Sequence, residues 1–283
     1  MVFMRILLTN DDGVYAPGLA AMERALRRLG EVFVVAPLRE QSGVAHSITF
    51  LTPLQVRKVY VNNKHWAWTV DGSPADCVKL AVSTILPERP DLVVSGINGG
   101  LNAGINVLYS GTVAAAVEGA FYGITSIAVS LQYEENEPFQ QAAGLAACVI
   151  SKILDHDGSP GRLYNLNIPL KALRNSAPEV RVVPMDSAQY WETFERRIDP
   201  MGRSYYWLSG RPDPRQPKGR NPERMTDLSA LSQGYITLTP LDYDVTDKQS
   251  LKEMADWNLT PPEYDASSDS EHTGPQVRIS WQS

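Results

Sequence analysis

The residues of this chain best suited to chemistry lie in polar loops that directly follow apolar runs. Asn10-Asp11-Asp12-Gly13 follows the run Arg5 to Thr9, Gln41-Ser42-Gly43 comes after Val32 to Ala36, and Gly96-Ile97-Asn98-Gly99-Gly100-Leu101-Asn102 follows Asp91 to Ser95. Two neighbouring carboxylates repel by roughly 4 kcal/mol at ~4 Å when the effective dielectric is ~20, so a site that keeps both ionised needs a cation. Oxygen donors of this kind suit Mg²⁺, Mn²⁺ or Ca²⁺, whereas zinc favours His and Cys. Asp-Asp-Gly alone serves equally well to turn the chain and cap a helix. Its conjunction with the other two loops is what points to a site.

A second signal is Asn106-Val107-Leu108-Tyr109-Ser110-Gly111-Thr112, which runs into an apolar helix. Hydroxyls and unpaired amides at a helix amino end, aided by the helix dipole, suit a phosphate; an ordinary N-cap at Ser110 or Thr112 is the plainer alternative. No Gly-Lys-Ser/Thr follows, and Gly99 to Gly104 does not spell a dinucleotide fingerprint. Neither Cys77 nor Cys148 has an Arg six positions later, and His46, His65, His156 and His272 are scattered, which disfavours cysteine or histidine nucleophiles and zinc. His46 lies near the Ser42 loop, where it could line a pocket or serve as a satisfied structural histidine. Asp242-Tyr243-Asp244-Val245-Thr246 matches the Asp-x-Asp-x-Thr pattern of aspartyl-phosphate hydrolases. Only residues 247–283 follow it, too short a stretch for the sheet such enzymes build after their nucleophile.

The elements that must hold these loops follow from hydrophobic period. Arg5–Thr9, Val32–Ala36, Asp91–Ser95 and Ser126–Ser130 read as buried strands; helices are expected near Pro17–Leu29, Asp76–Leu86, Thr112–Tyr122 and Pro138–Leu154. Strands rich in β-branched residues alternating with helices imply an α/β fold with a mostly parallel sheet covered on both faces. In such a sheet ligands bind beyond the carboxyl ends of the strands, where the polar loops fall. After about Pro184 the composition shifts: residues 186–225 are rich in aromatics, then in Pro, Arg and Gly, and read as an extension or long loop. Tyr235–Thr239 returns to strand character, Lys248–Trp257 suggests a closing helix, and 261–283 reads as a weakly ordered or partner-docked tail. The expected division is 1–184 as the metal- and phosphate-binding core, 185–260 as an extension with a returning strand, and 261–283 as the tail.

Of the 283 residues, 43% are hydrophobic and 20% charged, within the globular range, and the length suffices for a sizeable core without staples. A net charge of −6 with no basic run argues against a polymeric nucleic-acid partner, while a small phosphorylated ligand remains compatible. Both cysteines lie among apolar neighbours, which predicts two buried small hydrophobes. Neither a charged leader with an apolar stretch nor an apolar segment of ~18 residues is present, so no membrane association and a cytoplasmic, soluble protein are expected.

Taken in order, Asn10-Asp11-Asp12-Gly13, Ser42, Gly96-Ile97-Asn98-x-Gly-x-Asn102 and Tyr109-Ser110-Gly111-Thr112-Val113 resemble the SurE (survival protein E) family, with the likeness running from about Met4 to Asp256-Trp257. The resemblance implies a Rossmann-like, doubly wound sheet with a smaller carboxyl-terminal extension containing a swapped element, in homodimers or homotetramers. It further implies a metal-dependent phosphomonoesterase, a nucleotidase that hydrolyses nucleoside 5'- and 3'-monophosphates. One divalent cation per subunit, Mg²⁺ or Mn²⁺, would be held by Asp11, Asp12, Ser42 and Asn98, and phosphate by Asn102, Ser110, Gly111 and Thr112. Asp12 is then the expected group to orient or deprotonate the attacking water, with Asn102 stabilising the equatorial oxygens. Some members carry a His after Thr-Pro-Leu near the carboxyl end; this chain has Thr239-Pro240-Leu241-Asp242, so that residue's role is not carried over. That departure motivates the alternative of a non-catalytic nucleotide-sensing or scaffolding protein.

Overall fold

A computed structural model describes residues 4–156, 159–187, 192–212, 224–257 and 259. The strands are β1 (Met4–Thr9), β2 (Gly30–Pro37), β3 (Val56–Val61), β4 (Lys64–Val70), β5 (Leu92–Gly99), β6 (Thr125–Leu131), β7 (Leu163–Ile168), β8 (Val180–Val182), β9 (Glu192–Ile198), β10 (Ser204–Pro212) and β11 (Ile236–Leu241). The helices are α1 (Pro17–Leu26), α2 (Pro74–Leu80), α3 (Gly111–Phe121), α4 (Phe139–His156), α5 (Leu170–Leu173), α6 (Asp227–Gln233) and α7 (Lys248–Met254).

All strands except β9 and β10 form one sheet in the order β3-β4-β2-β1-β5-β6-β7-β11-β8. Pairing from β4 through β2, β1, β5 and β6 to β7 is parallel, β3 runs antiparallel to β4, and β11 runs antiparallel to β7. The expected α/β, mostly parallel, doubly wound architecture is what forms. Strand alternation divides the core between two faces. Ile6, Leu8, Leu92, Val94, Ile127 and Val129 pack on the side of α1 and α4, while Leu7, Val93 and Ala128 point toward α2 and α3. Burial on both faces explains why these strands read as continuous apolar runs.

Chain order reverses at β1, with β2 on one side and β5 on the other. This is the switch point at which open α/β sheets bind ligands, and Asn10-Asp11-Asp12 and Asn98 lie at its carboxyl edge. Between Ser95 and Asn98 the β5–β6 register shifts. Gly96 sits there at φ +135°, with any Cβ falling 2.2 Å from the Val129 carbonyl oxygen, so only glycine lets the strand turn and present Asn98.

The chain divides into two compact units, Met1–Ala188 with Gly219–Tyr243, and Gln189–Lys218 with Asp244–Ser283. The first contains the nine-stranded sheet; in the second, β9 and β10 form an antiparallel hairpin, so part of the stretch expected as a loop is strand. The expected helix at Asp76–Leu86 is α2 followed by a π-helical turn, Ala81–Ile85. Cys77 is buried as expected, but Cys148 is exposed: α4 buries Ala143, Ala146, Ala147 and Ile150, which turns Cys148 outward. The tail 261–283 lies outside the described residues.

Candidate active site

Asp11 and Asp12 leave the buried end of β1 just where α3 begins. Asp11 is 5% exposed, and its Oδ1 accepts a hydrogen bond from Thr112 Oγ1 at 2.5 Å. The first residue of α3, Gly111, presses against the same carboxylate. A Cβ at Gly111 would lie 3.0 Å from Asp11 Cβ and 3.2 Å from both Asp11 Oδ2 and Pro74 Cγ, tighter than ordinary contact. Ser110 is the N-cap, its Oγ accepting from the Val113 amide at 3.1 Å. With Thr112's hydroxyl proton and amide both directed to Asp11, the Gly111 amide and the Ser110 hydroxyl proton are the donors left for an anion.

The other loops converge on this point. Gln41 donates its amide to the Asp11 carbonyl at 2.8 Å, which ties the exposed Ser42 to the same corner, and Ser42 Oγ donates to Glu40 Oε1 at 2.6 Å. Asn98 Nδ2 donates to the Gly100 carbonyl at 2.7 Å, leaving its Oδ1 as the side chain's acceptor; the Gly99 amide reaches Asp12 Oδ2 at 3.4 Å. Asn102 is clamped from β7: its amide donates to Asn167 Oδ1 at 2.9 Å, and its carbonyl accepts from Asn165 Nδ2 at 2.7 Å and Asn167 Nδ2 at 3.0 Å. Its own Nδ2 donates to Ser130 Oγ at 2.8 Å. Clamped at both backbone groups, the Asn102 side chain has little freedom left.

Burial and neighbouring acids resist ionisation of both carboxyls while no cation is present. Burial pushes the Asp11 carboxyl above its usual range, against the opposing hydrogen bond from Thr112. Asp12 is raised to about 6, by burial first, then by the charges of Asp11, Glu40 and Glu137, partly offset by the Gly99 amide. Glu40 and Glu137 are additions that sequence reasoning did not supply. Glu137 precedes α4, and only folding brings it to Gly99, where its Oε1 would lie 3.1 Å from an added Cβ. Among the described residues no Lys or Arg pairs with Asp11 or Asp12. The Asn10 Oδ1 beside them is buried without a partner. A pair of carboxylates without a basic partner, beside the oxygens of Ser42 and Asn98, fits a hard divalent cation. No group of three or more His, Cys, Asp or Glu suited to a metal occurs among the described residues, so such an ion would depend on neutral oxygens as well as on the two aspartates.

The survival protein SurE family profile matches residues 6–192, which include every loop just described. This chain belongs to the SurE family. It is 57% identical over 260 residues to the 5'-nucleotidase SurE of Rhodopirellula baltica, covering 91% of this chain and all of that one. The 5'-nucleotidase SurE of Desulforudis audaxviator is 42% identical over 258 residues, covering 90% and 97% of the two chains. The crystal structure of the SurE protein from Aquifex aeolicus superposes with a TM-score of 0.74 at 39% identity, covering 88% of this chain and 98% of that one.

Within the SurE fold, the rival Asp242 motif falls at the wrong end. β11 runs antiparallel to β7, with Leu241 opposite Leu163, so Asp242 follows at the amino edge of the parallel strands, away from Asp11. A nucleophile there would share nothing with the phosphate-binding features of α3. Among the described residues no helix is long and apolar enough to cross a membrane.

Proposed function

We propose that this SurE-family chain is a divalent-metal-dependent phosphomonoesterase that hydrolyses nucleoside 5'-monophosphates, and 3'-monophosphates as well, to nucleoside and phosphate. The observation that carries this is the meeting of a buried, cation-poor aspartate pair with the open amide end of α3. The names of its 5'-nucleotidase relatives agree with it. Asp11, Asp12, Ser42 and Asn98 would hold one Mg²⁺ or Mn²⁺ per subunit. When bound, such an ion supplies charge neutralisation and polarises a phosphoryl oxygen.

The chain's own groups do the rest. The Gly111 amide and the Ser110 hydroxyl bind phosphoryl oxygens at the turn that Thr112 fastens to Asp11, and Asn102, held by Asn165, Asn167 and Ser130, donates to the oxygens that gain charge during in-line attack. Asp12, less buried than Asp11, would orient the attacking water or take its proton. We assign the chain to the cytoplasm and to homodimers or homotetramers on family likeness alone. A hydrolysis panel over nucleoside 5'- and 3'-monophosphates, with Mn²⁺ and with chelator, tests the reading. Metal-dependent phosphate release is expected; nucleotide binding without release would favour the sensing alternative.

A further inference from the structure

Seven residues beyond Gly111, in a helix built mostly of Ala, Val and Gly, α3 buries Glu118 with its side chain 3% exposed. Both carboxylate oxygens are engaged: Oε1 lies 2.7 Å from Lys79 Nζ of α2, and Oε2 lies 2.9 Å from His46 Nε2. Burial raises the Glu118 carboxyl, yet hydrogen bonds from His46 and Lys79 leave it below its usual range. Burying an ion pair is a weak way to gain stability, since apolar replacements of like volume are often neutral. What the pair fastens is more telling.

His46 belongs to the segment 41–50, which forms neither helix nor strand. That segment is pinned along its length: the Gln41 amide to the Asp11 carbonyl at 2.8 Å, the Ala45 amide to the Tyr109 carbonyl at 3.0 Å, the Ser47 carbonyl to Ser73 Oγ at 2.7 Å and the Thr49 amide to Asp76 Oδ1 at 3.0 Å. Ala45 sits at φ +52°, a conformation that a residue with a Cβ holds only where its surroundings impose it. The next residue, His46, anchors this stretch to α3 through its side chain: its ring stacks on Phe121 with centroids 5.3 Å apart at 24°, and its Nε2 meets Glu118.

We infer that His46 and Glu118 form a latch that locks the Ser42 segment onto α3, making His46 a positioning residue for the hydrolysis. The helix that presents the Ser110-Gly111-Thr112 turn is the helix that holds the latch, so Ser42 and Asp11 keep a fixed relation to that turn. This rests on the phosphomonoesterase reading above and adds to it a residue outside the metal and phosphate contacts.

The test compares the parent with His46→Ala and His46→Gln. It measures turnover of a nucleoside 5'-monophosphate and of p-nitrophenyl phosphate, Mn²⁺ affinity by calorimetry, and amide exchange of segment 41–49 in chelator-treated protein. Loss of one hydrogen bond to a charged group predicts about a tenfold fall in kcat/KM on both substrates for His46→Ala. Mn²⁺ binding should weaken by a similar factor and the Ala45 amide should exchange about tenfold faster, with the melting temperature lowered by the Glu118 oxygen left unpaired. His46→Gln, which can place an amide N–H toward Glu118, should restore most of each. Parent-like turnover and Mn²⁺ affinity in His46→Ala would overturn the latch, as would a loss confined to the nucleotide, which would mean direct contact with nucleoside. If the parent itself releases no phosphate, the hydrolysis reading fails separately, and the Mn²⁺ and exchange measurements still decide whether the latch exists.

Discussion

Replacing Thr112 by valine preserves side-chain shape and removes one proton donor from the centre of the site. Thr112 is fully buried, and its Oγ1 lies 2.5 Å from Asp11 Oδ1, so no solvent stands ready to substitute. A hydrogen bond to a charged acceptor contributes about 1.5–3 kcal/mol, equivalent to about a 10- to 150-fold change in an equilibrium constant. The hydroxyl is the strongest influence opposing the burial that raises Asp11, so removing it raises that carboxyl further and makes its ionised, cation-binding form scarcer. Thr112→Val is therefore expected to weaken Mn²⁺ binding near neutral pH by up to that factor. Because the deficit comes from protonation, affinity should climb more steeply with pH in the variant than in the parent. Titration calorimetry on chelator-stripped protein at three pH values between 6.5 and 8.5 reads both effects. A dissociation constant within twofold of the parent's across that range would refute the reasoning.

Asp12→Asn should lower turnover by about 10²- to 10⁴-fold with the fold intact, as expected for loss of a general base; a few-fold change would remove Asp12 from that role. With Asp12 raised to about 6 from an ordinary 3.8, the ion-free folded chain binds more protons than the unfolded chain between those values. Its stability should therefore fall as pH rises from about 4 to about 6, and calorimetric melting in chelator should show this slope flattened in Asp12→Asn. Gly111→Ala places a methyl group 3.0 Å from Asp11 Cβ, so about 1–3 kcal/mol of destabilisation with weakened Mn²⁺ binding is expected from melting and titration. Asp242→Asn, at the opposite edge of the sheet, should keep parent-like turnover, and acid quenching should trap no phosphoenzyme.

The central strands and α3 are legible in the chain because each is buried on nearly all sides, which leaves an uninterrupted apolar run. The β3–β4 hairpin escapes that logic: β3 is exposed at almost every position, and its only local signal is the Asn62-Asn63 turn, both residues at positive φ. β7 is disguised by Asn165 and Asn167, which break the apolar pattern because their interior face holds Asn102 rather than packing a core. Asp11, Asp12 and the Ser110-Gly111-Thr112 turn stand out since each follows or opens a regular element. Glu40, Glu137 and Glu118 do not, because their importance depends on neighbours far away in sequence. Cys148 misleads for a related reason: flanking residues on a helix do not share its face.

The most direct test is calorimetric titration of chelator-stripped protein with Mn²⁺, in the parent and in Asp11→Asn. One ion taken up per chain by the parent, and none at comparable concentration by the variant, is the predicted result. No uptake by the parent, or undiminished uptake by the variant, would contradict the assignment of this corner of the sheet as a cation-dependent phosphate site.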